Sequence, residues 1–268
     1  MNANYTDLNA KAIDEWVKDG WVWGVPISHE AYIDAKNGQW SVVLTPLKPV
    51  PKEWFSPFLK GNSLAHTKLL GLASGGGQQM PIFAGLGADC TVLDNSDKQL
   101  ESERLVSERE SYAINIVKAD MTKRLPFDNE SFDLIFHPVA NCYIEDVYHL
   151  WNECFRVLKP GGVLLAGMDN GVSYLTDEDE PFKIVHKLPY NPLKDPALYK
   201  KAVESDGSIQ FSHTLEEQIG GQIKAGFILT DLFEDTDNED IGLYYPLFIA
   251  TRAVRPSSPA PVSRQGCR

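Results

Sequence analysis

The sequence lacks long apolar runs and has only four cysteines among its 268 residues. A membrane helix needs about 18 uninterrupted apolar residues, and no stretch approaches that length. The first residues, MNANYTDLNAKAIDEW, also lack the basic and then apolar layout of a secretory signal. The cysteines show no CxxC spacing, and we predict no metal site, but reduced thiols in a cytoplasmic protein. They are Cys90, Cys142, Cys154 and Cys267.

Basic residues are in a clear minority. The chain has 25 Lys and Arg against 37 Asp and Glu, which gives a formal net charge of −12. Nucleic-acid binding draws much of its affinity from basic groups placed on phosphates, and no basic stripe with interleaved aromatics is present. A polynucleotide substrate is therefore disfavoured, although a basic patch assembled only in three dimensions stays open.

The composition changes along the chain and indicates three parts. Residues 1–60 hold five of the six tryptophans and many prolines, so we predict an N-terminal cap segment that packs onto the remainder. Residues 61–254 form the predicted main domain, with an irregular insertion at about 170–210. Residues 255–268 are rich in Pro and Ser and are predicted to be a disordered tail.

Short apolar runs alternate with helical patterns over 67–169, which predicts a parallel sheet with crossover helices. The last two runs follow each other without a helix between them, so they should pair antiparallel. Ser96 and Gln99 form a capping-box pattern for a helix over 97–109, and a second amphipathic helix is predicted over 145–158. The predicted strands are 69–73, 90–94, 114–118, 132–137, 162–168, 227–233 and 245–252.

The ends of the first three predicted strands carry the residue types of a nucleoside site. The stretch LLGLASGGGQQ over 69–79 turns from a strand into a helix through three glycines, which let the backbone approach a ligand closely. Asp94 ends the second strand and can accept hydrogen bonds from two ribose hydroxyls. Asp120 follows the third strand and can accept from an adenine amino group, while Met121 packs on the ring.

The motifs that follow Asp120 make the pattern more specific. LPF at 125–127, SFD at 131–133 and LKPGG at 158–162 appear in this order, whereas the dinucleotide pattern GxGxxG is absent. The chain thus resembles the class I S-adenosylmethionine-dependent methyltransferases, in particular their ubiquinone/menaquinone-biosynthesis-like branch. The resemblance implies an α/β, Rossmann-like fold: a seven-stranded, mostly parallel sheet with helices on both faces and an antiparallel last strand.

The resemblance also implies a cofactor and a set of contact residues. S-adenosyl-L-methionine would be the cofactor and S-adenosyl-L-homocysteine the product. The cofactor residues expected by position are Ala73, Ser74, Gly75, Gly77, Gln78, Gln79, Asp94, Asn95, Gln99, Asp120, Met121 and His137. The candidates for acceptor contacts are His29, Tyr32, Asn141 and Tyr143. No catalytic residue is assigned, because the sulfonium already carries an activated methyl group.

One position departs from the family pattern. The family has an acid two residues before the first loop glycine, and an ungapped alignment puts Gly71 at the acid and Ala73 at that glycine. We predict that Gln78 and Gln79 compensate, because they open the following helix, whose N-terminus favours the cofactor's carboxylate, and that Ser74 adds a hydroxyl.

The sequence as a whole predicts methyl transfer from S-adenosylmethionine to a small-molecule acceptor. A tRNA- or protein-modifying methyltransferase and a non-catalytic S-adenosylmethionine-binding protein stay open. An NPPY-type sequence after the fourth strand is absent, which weighs against methylation of nucleic-acid bases. The stretch KLPYNPL, which contains Tyr190 and Asn191, is a further candidate lining of the acceptor pocket.

Overall fold

Seven strands form a single sheet in the computed structural model, which describes residues 4–177, 179–205 and 207–257. The strand order is β3-β2-β1-β4-β5-β7-β6, with β1 to β5 parallel and β7 antiparallel to both of its neighbours. This architecture confirms the predicted fold. The strands are β1 (Lys68–Leu72), β2 (Asp89–Asp94), β3 (Asn115–Lys118), β4 (Phe132–His137), β5 (Leu158–Asp169), β6 (Ile228–Asp235) and β7 (Phe248–Val254).

Short polar side chains cap the starts of α2, α4 and α5. Ser96 Oγ accepts the N–H of Gln99 at 3.1 Å, which confirms the predicted start of α4, and Asp146 accepts the N–H of His149 at the start of α5. The α-helices are α1 (Tyr5–Lys18), α2 (His29–Lys36), α3 (Gln79–Gly85), α4 (Asp97–Glu110), α5 (Val147–Val157), α6 (Pro196–Ser205) and α7 (Gly221–Ala225), the last preceded by a π-helical turn (Glu216–Gly220).

Two apolar clusters cover the two faces of the sheet. On one face Trp151 of α5 is fully buried among core residues that include Leu72 and Ile135. On the other face Phe55 and Phe136 stack with ring centroids 6.5 Å apart. The strands of a parallel sheet covered on both sides are apolar throughout, which is why these segments read as continuous apolar runs.

The predicted N-terminal cap segment has two different parts. Residues 40–55 contribute buried side chains to the sheet's core, among them Trp54 and Phe55. Helix α1 and the stretch from Trp21 to Ile27 lie instead over the carboxyl edge of the sheet, where Ile27 N–H donates to Gly77 O at 2.9 Å. The first sixty residues thus contribute to the core of the sheet and also cover its carboxyl edge.

The boundaries near the LKPGG motif differ from the prediction. Helix α5 ends at Val157, and β5 begins at Leu158, not at 162, because Leu158 already pairs with Phe132 of β4. The glycines therefore lie inside the strand, where Gly161 has φ +82° and its N–H donates to Arg255 O. At the other end of the sheet, β7 begins at Phe248 and not at 245.

Arg255, the first residue of the predicted tail, belongs to the folded domain. Its guanidinium donates to the carbonyl of Phe155 at 2.9 Å, pairs with Glu130 at 2.7 Å and lies 4.7 Å from the centroid of the Phe155 ring. Residues 258–268, which make up the rest of that tail and include Cys267, lie outside the described part of the chain.

The N-terminal segment passes very close to the sheet at Gly167 in β5. A Cβ there would lie inside van der Waals contact of the Leu44 carbonyl oxygen, which also accepts the N–H of Val139 at 3.1 Å. We expect Gly167→Ala to lower the free energy of unfolding by about 1–3 kcal/mol, because backbone must move to admit the methyl group. Urea denaturation measures the change.

Gly220→Ala is the matched control for that substitution. A Cβ at Gly220 would have its nearest neighbour, Glu216 Cγ, at 3.6 Å, which is an ordinary contact. Helical backbone also favours Ala over Gly there, so we expect an unchanged or slightly higher stability. An equal loss in both variants would contradict the close approach of Leu44.

Candidate functional site

The glycine loop after β1 is fixed to β2 and α4 through three successive N–H groups. Gly75 donates to Asp94 Oδ2 at 3.1 Å, and Gly76 donates to Gln99 O at 2.9 Å. Gly77 donates to Glu103 Oε1 at 2.7 Å. These N–H groups are thus bonded within the protein, whereas the sequence suggested that they face a ligand.

The same packing explains why the loop consists of glycines. A Cβ at Gly75 would lie 2.7 Å from Gln99 Cβ, and one at Gly77 would lie 2.8 Å from Ser102 O. Gly76 and Gly77 also have φ of +95° and +68°, which side chains rarely tolerate. Helix α4 therefore packs on the loop at a distance that only glycine permits.

A cavity of about 240 Å³ lies beside this loop, at the carboxyl edge of β1, β2 and β4. This is the edge at which ligands bind in open α/β sheets. Ten of the twelve predicted cofactor residues line it, namely Ala73, Ser74, Gly75, Gln78, Gln79, Asp94, Asn95, Gln99, Asp120 and Met121. Tyr143, one of the predicted acceptor contacts, lines it as well.

His137 was expected at the cofactor but lies outside the cavity lining. It is fully buried, with Nδ1 2.8 Å from Leu72 O and Nε2 2.8 Å from Asn141 Oδ1, and burial lowers its pKa. Asn141, predicted as an acceptor contact, continues this chain to Gln218 at 2.6 Å. Neither side chain lines the cavity, because His137 is bonded to the end of β1 and Asn141 links His137 to Gln218. Pro138 and its neighbours line the cavity instead.

Four other residues predicted to border the site do not line the cavity. The N–H of Gly77 is bonded to α4, as described above. His29 is an exposed side chain paired with Glu110 at 2.8 Å, and Tyr32 stacks on Tyr112 with centroids 5.6 Å apart. Tyr190, from the KLPYNPL stretch, lines a second, more polar cavity of about 580 Å³, so it does not border the first.

Helix α1 forms a roof over the cavity that the sequence reading did not assign to the site. Thr6, Asn9, Ala10 and Ile13 line the cavity from this helix. Thr6 Oγ1 donates to Asp120 Oδ2 at 3.0 Å, so the roof touches one of the two acids directly. The spacing of these four residues, one helix face, is the signal that could have identified them.

Asn9 attaches this roof to the insertion. Its Oδ1 accepts the N–H of Ile209 at 2.6 Å, and its Nδ2 donates to Ile209 O at 2.9 Å and to Tyr143 O at 3.2 Å. The side chain thus bonds to both the N–H and the carbonyl group of Ile209. Helix α1 is therefore bonded to Asp120 through Thr6 and to the insertion through Asn9.

The position of the missing acid is filled by a methionine. Gly71 lies in β1, and a Cβ there would fall inside van der Waals contact of Met80 Sδ, on the buried side of α3. Of the predicted compensating residues, Gln78 donates to Val22 O at 2.7 Å and to Val25 O at 3.0 Å, which anchors the N-terminal stretch. Gln79 accepts from Ser74 at 3.4 Å. The amide of Gln78 thus holds in place the N-terminal stretch that covers the loop.

The cavity is polar at one end and apolar at the other. Asp94 and Asp120 lie at the polar end, and burial raises the pKa of Asp94. The apolar lining comes from the N-terminal segment, from the loop after β4 and from β7, with Val43, Leu44, Pro46, Pro138, Val139, Ala140 and Phe248. Among the described residues, no lysine, arginine, histidine or glutamate lines this cavity.

In residues 4–177, 179–205 and 207–257 no helix is long and apolar enough to cross a membrane. Within those ranges no cluster of three or more His, Cys, Asp or Glu side chains has the arrangement of a metal site.

Comparison with known proteins gives consistent similarities. Residues 70–166 match the family model described as a methyltransferase domain. The chain is 43% identical over 253 residues to an uncharacterised methyltransferase, YbaJ, of Bacillus subtilis (strain 168), covering 92% of this chain and 97% of that protein. It is 28% identical to the sterol 24-C-methyltransferase of Pneumocystis carinii, over 67% of this chain and 45% of that protein.

A solved structure supports the fold. The S-adenosylmethionine-dependent methyltransferase of Mesorhizobium loti superposes with a TM-score of 0.57 and 22% identity, over 71% of this chain and 92% of that one. At this identity the likeness concerns the fold alone.

Restoring an acid at Gly71 tests the role of Met80. We expect Gly71→Asp to lower the free energy of unfolding by about 2–4 kcal/mol, because a carboxyl group would be forced into a filled apolar site. Met80→Ala should cost about 2–4 kcal/mol through its cavity. The double variant should be about 1–2 kcal/mol more stable than the sum of the two losses predicts, as measured by urea denaturation. Simple additivity would show that Met80 does not occupy the place of the acid.

Proposed function

The chain belongs to the S-adenosylmethionine-dependent methyltransferases, and on that premise we propose that it methylates a small, uncharged and largely apolar molecule. The observation that carries this proposal is the division of the cavity, with acids at one end and apolar side chains at the other. Carboxylate or phosphate groups on an acceptor would require basic partners, and none lines the described cavity.

The polar end fits the nucleoside part of the cofactor. In our proposal Asp94 accepts from the ribose hydroxyls, and Asp120 and Met121 hold the adenine. Gln99 supports this assignment, because it lines the cavity while its Oε1 is buried without a hydrogen-bond partner in the structure. A buried polar atom of this kind is an available acceptor for a ligand.

The protein's contribution to the chemistry is orientation and exclusion of water. The bound cofactor supplies an activated methyl group on a sulfonium. Trp21, Trp23 and α1 cover the cavity, so the reacting atoms would be held in line in a site with little water. Aromatic faces near a sulfonium also favour its positive charge.

No side chain of the described lining is well suited to act as a general base near neutral pH. The titratable groups are Asp94 and Asp120, which our proposal assigns to the cofactor, and Cys142 and Tyr143. Burial raises the pKa of the Cys142 thiol, which keeps it protonated. The acceptor atom should therefore be nucleophilic without help from the enzyme, as an electron-rich carbon or a neutral amine is.

The relatives support an apolar acceptor without identifying it. Several are named sterol 24-C-methyltransferases, although the chain spans less than two thirds of their length. The more similar Bacillus subtilis protein is itself uncharacterised. The proposal thus extends to the class of acceptor and not to one compound.

Loss of Asp94 tests the cofactor assignment. We expect Asp94→Ala to abolish detectable binding of S-adenosylmethionine and S-adenosylhomocysteine in titration calorimetry, because both ribose contacts and the Gly75 N–H bond are lost. Asp89→Ala, at the exposed opposite end of β2, should bind both like the wild type. NAD serves as a ligand control. Unchanged binding by the Asp94 variant would contradict the assigned role.

Transfer of a labelled methyl group tests the class of acceptor. The wild-type protein is incubated with methyl-labelled S-adenosylmethionine and, separately, with the small-molecule, RNA and protein fractions of a cell extract. We expect label only in the small-molecule fraction and its extraction into an organic solvent, because the acceptor end of the cavity is apolar. Asp94→Ala supplies the background. Label in RNA or protein would favour a macromolecular acceptor, and binding without transfer to any fraction would favour a non-catalytic role.

A further inference from the structure

Glu103 is a buried carboxyl group beneath the glycine loop that the proposed chemistry does not use. It lies on α4 with no exposed surface, and it is not part of the cavity lining. We propose that Glu103 is a positioning residue of the cofactor site, which fixes the glycine loop by accepting the N–H of Gly77. Glu103 would thus supply from α4 a carboxyl group that holds the loop, which β1 cannot supply because it has a glycine at position 71. The inference rests on the proposed cofactor site.

The geometry places Glu103 at the end of the loop opposite Asp94. Asp94 holds the first loop glycine at 3.1 Å, and Glu103 holds the third, Gly77, at 2.7 Å. The bond to Gly76 between them comes from the backbone of Gln99. Consecutive glycines have more accessible conformations than any other residues, so an ordered loop depends on such bonds. Of the three bonds, only those of Asp94 and Glu103 come from side chains.

The arrangement carries an energetic penalty that packing alone does not explain. Glu103 Oε2 is buried without a hydrogen-bond partner in the structure, although a carboxyl group loses much of its solvation on burial. A glutamine or an apolar residue could fill the same space with a smaller penalty. A buried acid with one unpaired oxygen beneath the loop is expected where a functional site is kept at a cost in local stability.

The surroundings raise the pKa of this acid. Burial is the main cause, the bond from Gly77 lowers the pKa and the nearby charge of Asp94 raises it, and together these effects bring the pKa of Glu103 to about 8. The other titratable groups that interact with it are Cys90 on β2 and Tyr112, just after α4. An ionised carboxylate accepts a stronger hydrogen bond than its protonated form. The loop should therefore be held most firmly above this pKa, where the negative charge also attracts the cationic cofactor.

Two substitutions separate positioning from packing. Glu103→Gln keeps an oxygen that can accept from Gly77, whereas Glu103→Leu fills the space without an acceptor. At about pH 7 we expect the affinity of the glutamine variant for S-adenosylmethionine to lie within about threefold of the wild type and that of the leucine variant to fall about tenfold or more. Glu108→Gln and Glu108→Leu, at an exposed position of the same helix, are the matched controls and should bind like the wild type.

The pH dependence supplies a readout that packing would not change. The dissociation constant for S-adenosylmethionine is measured by calorimetry from about pH 6.5 to about pH 9.5 for the wild type and Glu103→Gln. The amino group of the cofactor titrates in this range in both cases, so the ratio of the two constants isolates Glu103. We expect the wild type to gain affinity relative to the glutamine variant as the pH rises through about 8.

The outcomes distinguish this inference from the proposed function. Absence of S-adenosylmethionine binding by the wild type would overturn both. Binding by the wild type together with a Glu103→Leu variant that resembles its Glu108 control would overturn the inference alone. If the leucine variant does not fold, as judged by circular dichroism, the glutamine comparison decides. A ratio that is constant across the pH range would then reject a positioning role.

Discussion

The close packing of α4 on the glycine loop is the constraint on which the site depends. It requires glycine at 75 to 77, it uses three loop N–H groups, and it brings Asp94 and Glu103 to the two ends of the loop. The cavity lies beside the same loop and is lined by Gln99 of α4, so its shape depends on how α4 packs. The N-terminal stretch completes the arrangement through Ile27 and Gly77, which holds the loop from outside.

Features set by local periodicity were predictable from the sequence. The strands, the capped start of α4 and the placement of Asp94 and Asp120 at strand ends follow from apolar runs and turn residues over short windows. The direction of a side chain in three dimensions was not predictable in the same way. His137 ends β4 as expected, but its ring lies 6.2 Å from that of Trp151, in the core, where burial and two hydrogen bonds fix it. A strand's end in the sequence does not reveal the face to which its last side chain points.

The features that sequence reasoning missed come from distant parts of the chain. Thr6 reaches Asp120 across 114 positions, and Glu103 reaches Gly77 across 26, and neither contact leaves a local pattern. Gly71 differs from these two contacts. The sequence showed that an acid is missing at this position, but it did not show the reason, which is that Met80 of the following helix fills the space. Packing, not the missing charge itself, explains the departure at that position.

Asn9 joins the surroundings of the two cavities. Because its amide bonds to both backbone groups of Ile209, α1 is tied directly to the end of the insertion. Ser208 and Gln210, the chain neighbours of Ile209, line the second cavity. The roof of the first cavity and the wall of the second therefore meet at a single residue.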